Sequence, residues 1–365
     1  HNTMSEFKRV KVDDEMSQGK VSDKVIGTHS GTFQADEAMG CFLLRQLNEY
    51  KFSKIVRSRD TKILTTCDIV IDVGGTYDHS KKLYDHHQRG YDERFQEERQ
   101  RPRCTKLSAS GLVYRHYGKD VIKVYYPDLS DDHLEFVYVK LYNSLLEALD
   151  AIDTGVEMIP TNTNAGDDTI ELVYKDTTGL SNRVSRLNPR WNEYIDERTG
   201  IAPDCDARFL LASEMCGQDF LAVLTKIVES DLPARKIVEQ AVLDRYTIDP
   251  SGEIISFPSG GLPWKSYLYE FEKIHAATMN KLIKFVLYTD QGGMWRVQAV
   301  TVEGKAFENR VSLPEHWRGV RDEELETVTN IKGSRFVHAA GFIGGNTYYE
   351  GALQMAKVAL GHAIQ

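Results

Sequence analysis

The sequence predicts an α/β protein, and three observations carry that reading. The stretch KVIGTHSG (24–31) reads as a short apolar strand running into a turn. DEAMGCFLLRQL (36–47) follows with apolar residues at helical spacing. SKIVRSRD and CDIVIDVGG then read as further buried strands, the second ending at Asp72 and a Gly-Gly turn. Strand, helix, strand, strand is the order of an α/β sheet protein.

The remaining elements follow along the chain. Residues 1 to about 22 are polar and are expected to be a flexible segment. RFQEERQRPRCTK (94–106) reads as a charged surface loop, and SASGLVYRHYG starts a helix on small residues. DLSDDHLEFVYVKLYNSLLEALDAID contains a long amphipathic helix with Leu134, Val137, Leu141, Leu145, Leu146 and Leu149 near one face. Turn formers dominate 160–180, which places a domain boundary there: a catalytic domain over 23–180 and a substrate-binding domain over 181–365. Two helices are expected in DARFLLASEMCGQDFLAVLTKIVES and PARKIVEQAVLDRY. The last third reads as strands in IISFPSGGLPW, KFVLYTD and WRVQAVTV. It closes with strand, Gly-rich turn and helix in SRFVHAAGFIGGNTYYEGALQMAKVAL.

Composition narrows the function classes. The 365 residues are 41% hydrophobic and 27% charged, enough apolar material for sizeable cores. No apolar run approaches the roughly 20 residues that span a bilayer. The first residues mix acids with bases around no apolar core, so no secretory or import signal is expected there, and an intracellular setting is. Cys41, Cys67, Cys104, Cys205 and Cys216 form no CxxC pair, which suits a reducing compartment. A net charge of −9 argues against non-specific attraction to long nucleic acid. A local basic patch gripping a short single-stranded end stays compatible with it.

Four clusters could carry chemistry: His29, Gln34 and Asp36; Asp72; Asp85, His86 and His87; and Asp150 with Asp153. The first two stand at expected strand ends and the last after a long helix. Functional loops of open α/β sheets gather at strand carboxyl ends, so these groups can converge. Any lone Asp or His in a turn is usually a cap or a solvated side chain. Four such clusters in order point to a metal site. Imidazole with carboxylate suits Mn²⁺, Fe²⁺, Zn²⁺ or Mg²⁺, and two cations about 3.5–4 Å apart can clamp a phosphoester. AAGFIGGN is equally readable as a tight turn or as backbone N–H groups approaching an anion. A nucleophile elbow, a P-loop, a Rossmann fingerprint and H-E-x-x-H are all absent.

THSGTFQADE, DVGGTYDHSKKLYDHHQRGY, SASGLVYRHYG, LDAIDTG, LNPRWNE, FENRVSLPEHWRG and FVHAAGFIGGN resemble the melanocyte-proliferating-gene (Myg) family. That family is related to the DHH phosphoesterases, among them the RecJ nucleases and the manganese-dependent pyrophosphatases. The resemblance runs from about residue 24 to the end. It implies a DHH-phosphoesterase-like α/β fold with a mainly parallel sheet flanked by helices, a second smaller α/β domain, and an active site in the cleft between them. It also implies two Mn²⁺ or Mg²⁺ ions and 3′-to-5′ exonuclease action on single-stranded RNA ends. A metal-held hydroxide would attack and nucleoside 5′-monophosphates would leave, in the nucleus or mitochondrion.

Residue by residue, the resemblance gives His29 and Asp36 to different metals and makes Asp72 their bridge. Asp153 completes the second site, with Asp150 in reserve. His86 and His87 hold the scissile phosphate, and Asp85 fixes a His tautomer. The family pattern reads His-x-Asp where this chain has Gln34-x-Asp36. A Gln amide is a poorer partner for Mn²⁺ than imidazole, so weaker metal binding and slower turnover are expected. Arg89, Arg183, Arg186, Arg190, Arg310, Arg318 and Arg335 are expected to form the basic patch. His338, Gly344, Gly345 and Asn346 would hold the terminal nucleotide. Trp191 is expected to be buried, with stacking on a base as the alternative. Two rival functions stand beside the exonuclease: an RNA- or nucleotide-binding protein weakened in turnover by Gln34, and a small-molecule phosphoesterase or pyrophosphatase.

Overall fold

The structure, a computed structural model, describes residues 24–95, 105–158, 176–193 and 202–361. The expected flexible segment 1–22, most of the charged loop 94–106 and most of the turn-rich stretch 160–180 lie outside the described residues. The chain divides into two compact units, residues 1–224 and 225–365.

In the first unit the chain runs through β1 (Val25–Thr28), α1 (Ala35–Gln46), β2 (Lys54–Arg57), α2 (Thr61–Leu64), β3 (Ile69–Ile71), β4 (Tyr77–Asp78) and β5 (Leu83–Tyr84). The helices α3 (Ala109–Tyr125), α4 (Asp131–Leu141), α5 (Glu147–Asp153), α6 (Leu180–Ser185) and α7 (Cys205–Lys226) follow. A π-helical turn over Tyr142–Leu146 joins α4 to α5, so the long amphipathic helix expected there is one nearly continuous rod.

The sheet order is β2-β1-β3-β5-β4. The β1–β2, β1–β3 and β3–β5 pairs are parallel, and only β4 runs against its neighbour. The apolar triplet Ile69–Ile71 is buried throughout, as a strand covered on both faces requires. α1 packs on α3, and their contact buries Met39, Leu43, Leu112 and Val113. Residues 181–224, assigned from sequence to the second domain, belong to this first unit. Phe209 of α7 meets Phe33 edge-on at 5.7 Å, and Ser213 Oγ donates to Ala38 O at 2.9 Å. The apolar face of α7 is what ties it to α1 rather than to the chain that follows.

The second unit contains α8 (Leu232–Leu243), α9 (Arg245–Ile248), β6 (Ile254–Ser256), α10 (Lys265–Ile274), β7 (Phe285–Thr289), β8 (Trp295–Ala299), α11 (Asp322–Thr329), β9 (Ser334–Val337), β10 (Ile343–Asn346) and α12 (Tyr349–Ala359). Its sheet order is β6-β7-β8-β10-β9, parallel at β6–β7 and antiparallel elsewhere. Phe285, Leu287, Val297, Leu313, Trp317 and Met355 form its core. The protein is therefore α/β with one mainly parallel and one mixed sheet.

The Gly-rich segment read as a turn is the strand β10. Glycine is a poor strand former, but here the neighbours demand it. A Cβ on Gly345 would stand 2.5 Å from the Phe336 ring and 2.8 Å from Arg296 Nη1. Among the described residues no helix is long and apolar enough to cross a membrane.

Candidate metal centre

Parallel strands end on the same edge, and that geometry assembles the site. His29 follows β1, Asp72 follows β3, and Asp85, His86 and His87 follow β5. The first turn of α1 adds Asp36 and Glu37, and the last residue of α5 is Asp153. Asp72 has φ 54°, in the left-handed region that Asp tolerates better than most residues. The cost of such a conformation, about 1–3 kcal/mol, is the sort retained at functional sites.

Ligand-type atoms of Asp36, Asp72, His86 and Asp153 lie within 4.8 Å of one another. So do those of His29, Glu37 and Asp72, and those of Asp72, Asp85, His86 and His87. Asp72 belongs to all three groups. His29 Nε2 sits 3.0 Å from Glu37 Oε1 and 3.4 Å from Asp72 Oδ2, while its Nδ1 faces Ser30 O at 3.2 Å. His86 Nε2 lies 3.0 Å from Asp153 Oδ2.

The electrostatics show how much negative charge converges. Burial lowers the His29 pKa, but the hydrogen bonds and charges of Asp72 and Glu37 overcome it and raise it to about 10. Burial likewise opposes charge on His86, and Asp153, Asp36 and Asp72 outweigh it, raising its pKa to about 9. Asp36 is pushed well above the carboxylate range, first by burial and then by the charges of Asp72 and Asp153. Protons on these groups do what a cation would do.

The residues fit such a cation. Glu37 Oε2, Asp72 Oδ1 and His86 Nδ1 are all buried without a hydrogen-bond partner, and all belong to this cluster. Buried carboxylate and imidazole atoms left unpaired are costly unless something binds them. Oxygen-rich donors with one or two imidazoles suit Mn²⁺ or Mg²⁺ better than a soft metal. His29, Glu37 and Asp72 are one group that could hold a metal ion, and Asp36, Asp72, His86 and Asp153 are another.

His87 differs from its neighbour. Its Nδ1 is 2.8 Å from Asp85 Oδ1 and its side chain is 64% exposed. Asp85 also accepts from Gly75 N at 2.5 Å and His87 N at 3.0 Å. Burial favours a neutral Asp85, but these hydrogen bonds outweigh it and hold its pKa below the usual value. Asp85 thus fixes the His87 ring, and His86 is set among the acids. A cavity of about 450 Å³ opens over this edge, lined by His29, Gln34, Arg59, Asp72, Asp85 and His87 among others. Gln34 is exposed there, and its N–H donates to Glu37 Oε1 at 2.9 Å.

Asp150, the reserve ligand, is spent elsewhere. It accepts from Ser108 N at 3.0 Å, Ser108 Oγ at 2.6 Å and Tyr142 Oη at 2.7 Å. Asp36 receives Ala109 N, Ser110 N and Ser108 Oγ, so both carboxylates face the start of α3. Ser108 has one hydroxyl hydrogen for two carboxylates, so a carboxyl proton must complete the pair. Burial raises Asp150 to about 7 against its hydrogen bonds, in keeping with that.

The expected substrate residues fare unevenly. Arg89 is exposed in the turn after His87. Arg183 pairs with Asp219 at 2.8 Å, Arg186 bonds Thr177 O, and Arg190 lies 3.5 Å from Glu193. Arg310 is spent within the fold: its side chain is buried against both Glu272 oxygens, at 2.7 and 2.8 Å, and against Ile283 O. Arg318 Nε donates to Leu313 O, and Arg335 Nε to Thr347 Oγ1. Asn346 is fully buried, donating to Lys332 O and accepting from Tyr348 N, and so is spent internally too. Gly344 and Gly345 are buried strand residues, and His338 is exposed with Nδ1 accepting from Ala340 N. Trp191 is 82% exposed, against the expectation of burial, because it sits in a turn between polar neighbours.

Two residues of the site escaped sequence reasoning. Glu37 stands three residues after Gln34, which reads as a helix-capping glutamate. Arg59, just past β2, is 3.3 Å from His29 Nδ1 and lines the cavity, but nothing in SRD singles it out.

A family model for MYG1 exonucleases, described as "Uncharacterised protein family (UPF0160)", matches residues 25–360. The chain is 44% identical to the human MYG1 exonuclease (Homo sapiens) over 337 residues, covering 92% of this chain and 85% of the relative. It is equally similar, at 44%, to the MYG1 exonuclease of Rattus norvegicus, over 92% and 84% of the two chains. The MYG1 protein YER156C of Saccharomyces cerevisiae is 41% identical over 98% of this chain and 100% of its own. No solved structure matches. With a match over almost its whole length and relatives this similar, the chain belongs to the MYG1 family.

Proposed function

We propose that the protein is a metal-dependent phosphodiesterase that shortens RNA from its 3′ end and releases nucleoside 5′-monophosphates. Relatives named exonucleases support a nuclease-type function. The observation that carries the metal dependence is Asp72, common to all three ligand groups and surrounded by unpaired buried donor atoms.

A bound pair of divalent cations would lower the pKa of a water and offset negative charge on a phosphodiester. The side chains do the rest. Asp72, with Asp36, His86 and Asp153 on one side and His29 and Glu37 on the other, would supply the ligands. Asp85 takes the Nδ1 hydrogen of His87, which turns the other ring nitrogen to the cavity. That edge of the ring is where a phosphate oxygen would be held. Arg59 brings a guanidinium to the same cavity, and Arg89, exposed two residues after His87, would meet a neighbouring phosphate. Gln34 supplies a neutral amide where the family has an imidazole, so turnover is slower than in His-bearing relatives.

RNA carrying a 5′ label, incubated with Mn²⁺, tests this reading. A ladder shortening from the 3′ end is expected, with single-stranded DNA cut more slowly. RNA that stays intact, while small phosphate esters or pyrophosphate are hydrolysed, would overturn it.

A further inference from the structure

A second cavity in the first unit, about 240 Å³ in volume, lies at the edge strand β2. Arg45 from the last turn of α1, Ser53 and Lys54 at the start of β2, and Arg57 line it. Phe209 and Leu210 of α7 close its apolar side. The acid among the lining residues is Asp206, whose side chain is 77% exposed and 3.3 Å from Arg57 Nη1. Three cations against one solvated carboxylate make a locally positive cavity in a chain of net charge −9.

The polar atoms there are unsatisfied. Ser53 is 5% exposed, and its Oγ has no hydrogen-bond partner. Arg45 Nε and Arg57 Nε are also buried without one. Among the described residues neither Arg45 nor Lys54 has a carboxylate partner, and a buried guanidinium N–H without an acceptor is costly. Arg57 cannot simply swing away. Its guanidinium lies over the Phe33 and Phe209 rings at 5.3 and 4.9 Å, and it donates to Gly31 O at 2.6 Å. The terminal nitrogens of Arg57 are held by Asp206, Cys205 O and Gly31 O, which leaves Arg45, Lys54 and Ser53 as the donors of the groove without an acceptor.

We infer that this cavity binds a phosphate monoester dianion. Guanidinium forks and a hydroxyl match tetrahedral phosphate oxygens, and the Phe209 side gives a nucleoside or other apolar group a surface to lie on. Free phosphate and a nucleoside 5′-monophosphate share this chemistry. The site does not depend on the metal reading, since none of its residues belongs to the ligand groups.

The test is calorimetric titration of the full chain with inorganic phosphate, and separately with adenosine 5′-monophosphate, at millimolar concentration in EDTA. Arg45→Ala should weaken binding about tenfold or more, as loss of a charge-assisted bond does, and Ser53→Ala should weaken it by a smaller factor. Equal binding of the two probes assigns phosphate alone, and tighter binding of the nucleotide assigns the Phe209 surface as well. Lys305→Ala, at an exposed cation of the second unit, should leave binding unchanged. Absence of binding, or binding weakened by Lys305→Ala but not by Arg45→Ala or Ser53→Ala, would overturn the inference.

Discussion

His29 Nε2 lies 3.0 Å from Glu37 Oε1, and the same Glu37 oxygen accepts the Gln34 N–H at the start of α1. One carboxylate thus fixes both the helix start and the imidazole. Glu37→Gln keeps the helix contact but removes the charge. It should lower Mn²⁺ affinity by at least about 10–100-fold, the cost already met when only a partner of a ligand is lost. Equilibrium binding by calorimetry checks this, and unchanged affinity would remove Glu37 from the site.

Gln34→His restores an imidazole to the cavity that His29 and Asp72 line. The Mn²⁺-dependent rate on RNA should rise, and less Mn²⁺ should be needed for half-maximal rate. A variant no faster than the parent chain would show that position 34 does not reach the metal.

The apo protein should lose stability as pH rises. His29 and His86 are raised from 6.5 to about 10 and about 9, so their ion pairs contribute fully below pH 6.5 and fade as pH climbs through those values. Asp36 and Glu37 are raised too, and a group kept neutral in the fold also loses stability as pH rises past its unfolded value. A bound cation takes the place of those protons, so affinity for it should rise over the same window. Melting temperatures in EDTA and in Mg²⁺ at pH 6.5 and about 9 should diverge, the EDTA curve falling. Curves that stay parallel would mean that protons and metal do not compete here.

Arg310 and Arg89 separate folding from binding. Arg310→Ala leaves the Glu272 charge buried without its partner and should cost about 3–5 kcal/mol in denaturant unfolding. Arg89→Ala should leave that stability within about 0.5 kcal/mol, as exposed substitutions do, while weakening RNA binding and its salt dependence. If Arg310→Ala folded normally and lost only RNA affinity, the role given to its pair with Glu272 would be wrong.

What the sequence revealed and what it hid follow from distance along the chain. The strand ends at His29 and Asp72 were legible because short apolar runs stop at polar turns, whereas β5 before Asp85 is two residues long and leaves no such run; parallel pairing brings all three to one edge. Asp153 was legible at the end of a long amphipathic helix. Glu37 looked like an ordinary cap, and only the position of His29 reveals its second role. The Arg310–Glu272 pair joins residues far apart, which no local pattern reports. Asn346 and the glycines before it looked like an anion-binding turn because glycine rarely builds strands. The packing of Phe336 and Arg296 against β10 explains the exception. Asp150 and Asp153 are indistinguishable in LDAIDTG, yet one helix turn sends the first to Ser108 and the second to His86.

The most direct test of the account is anomalous scattering from crystals soaked in Mn²⁺. Two peaks about 3.5–4 Å apart are expected on either side of the Asp72 carboxylate, the separation of a paired-metal site. One should touch His29 and Glu37, the other Asp36, His86 and Asp153. Soaked crystals with no peak at Asp72, or with manganese bound only elsewhere, would contradict the account.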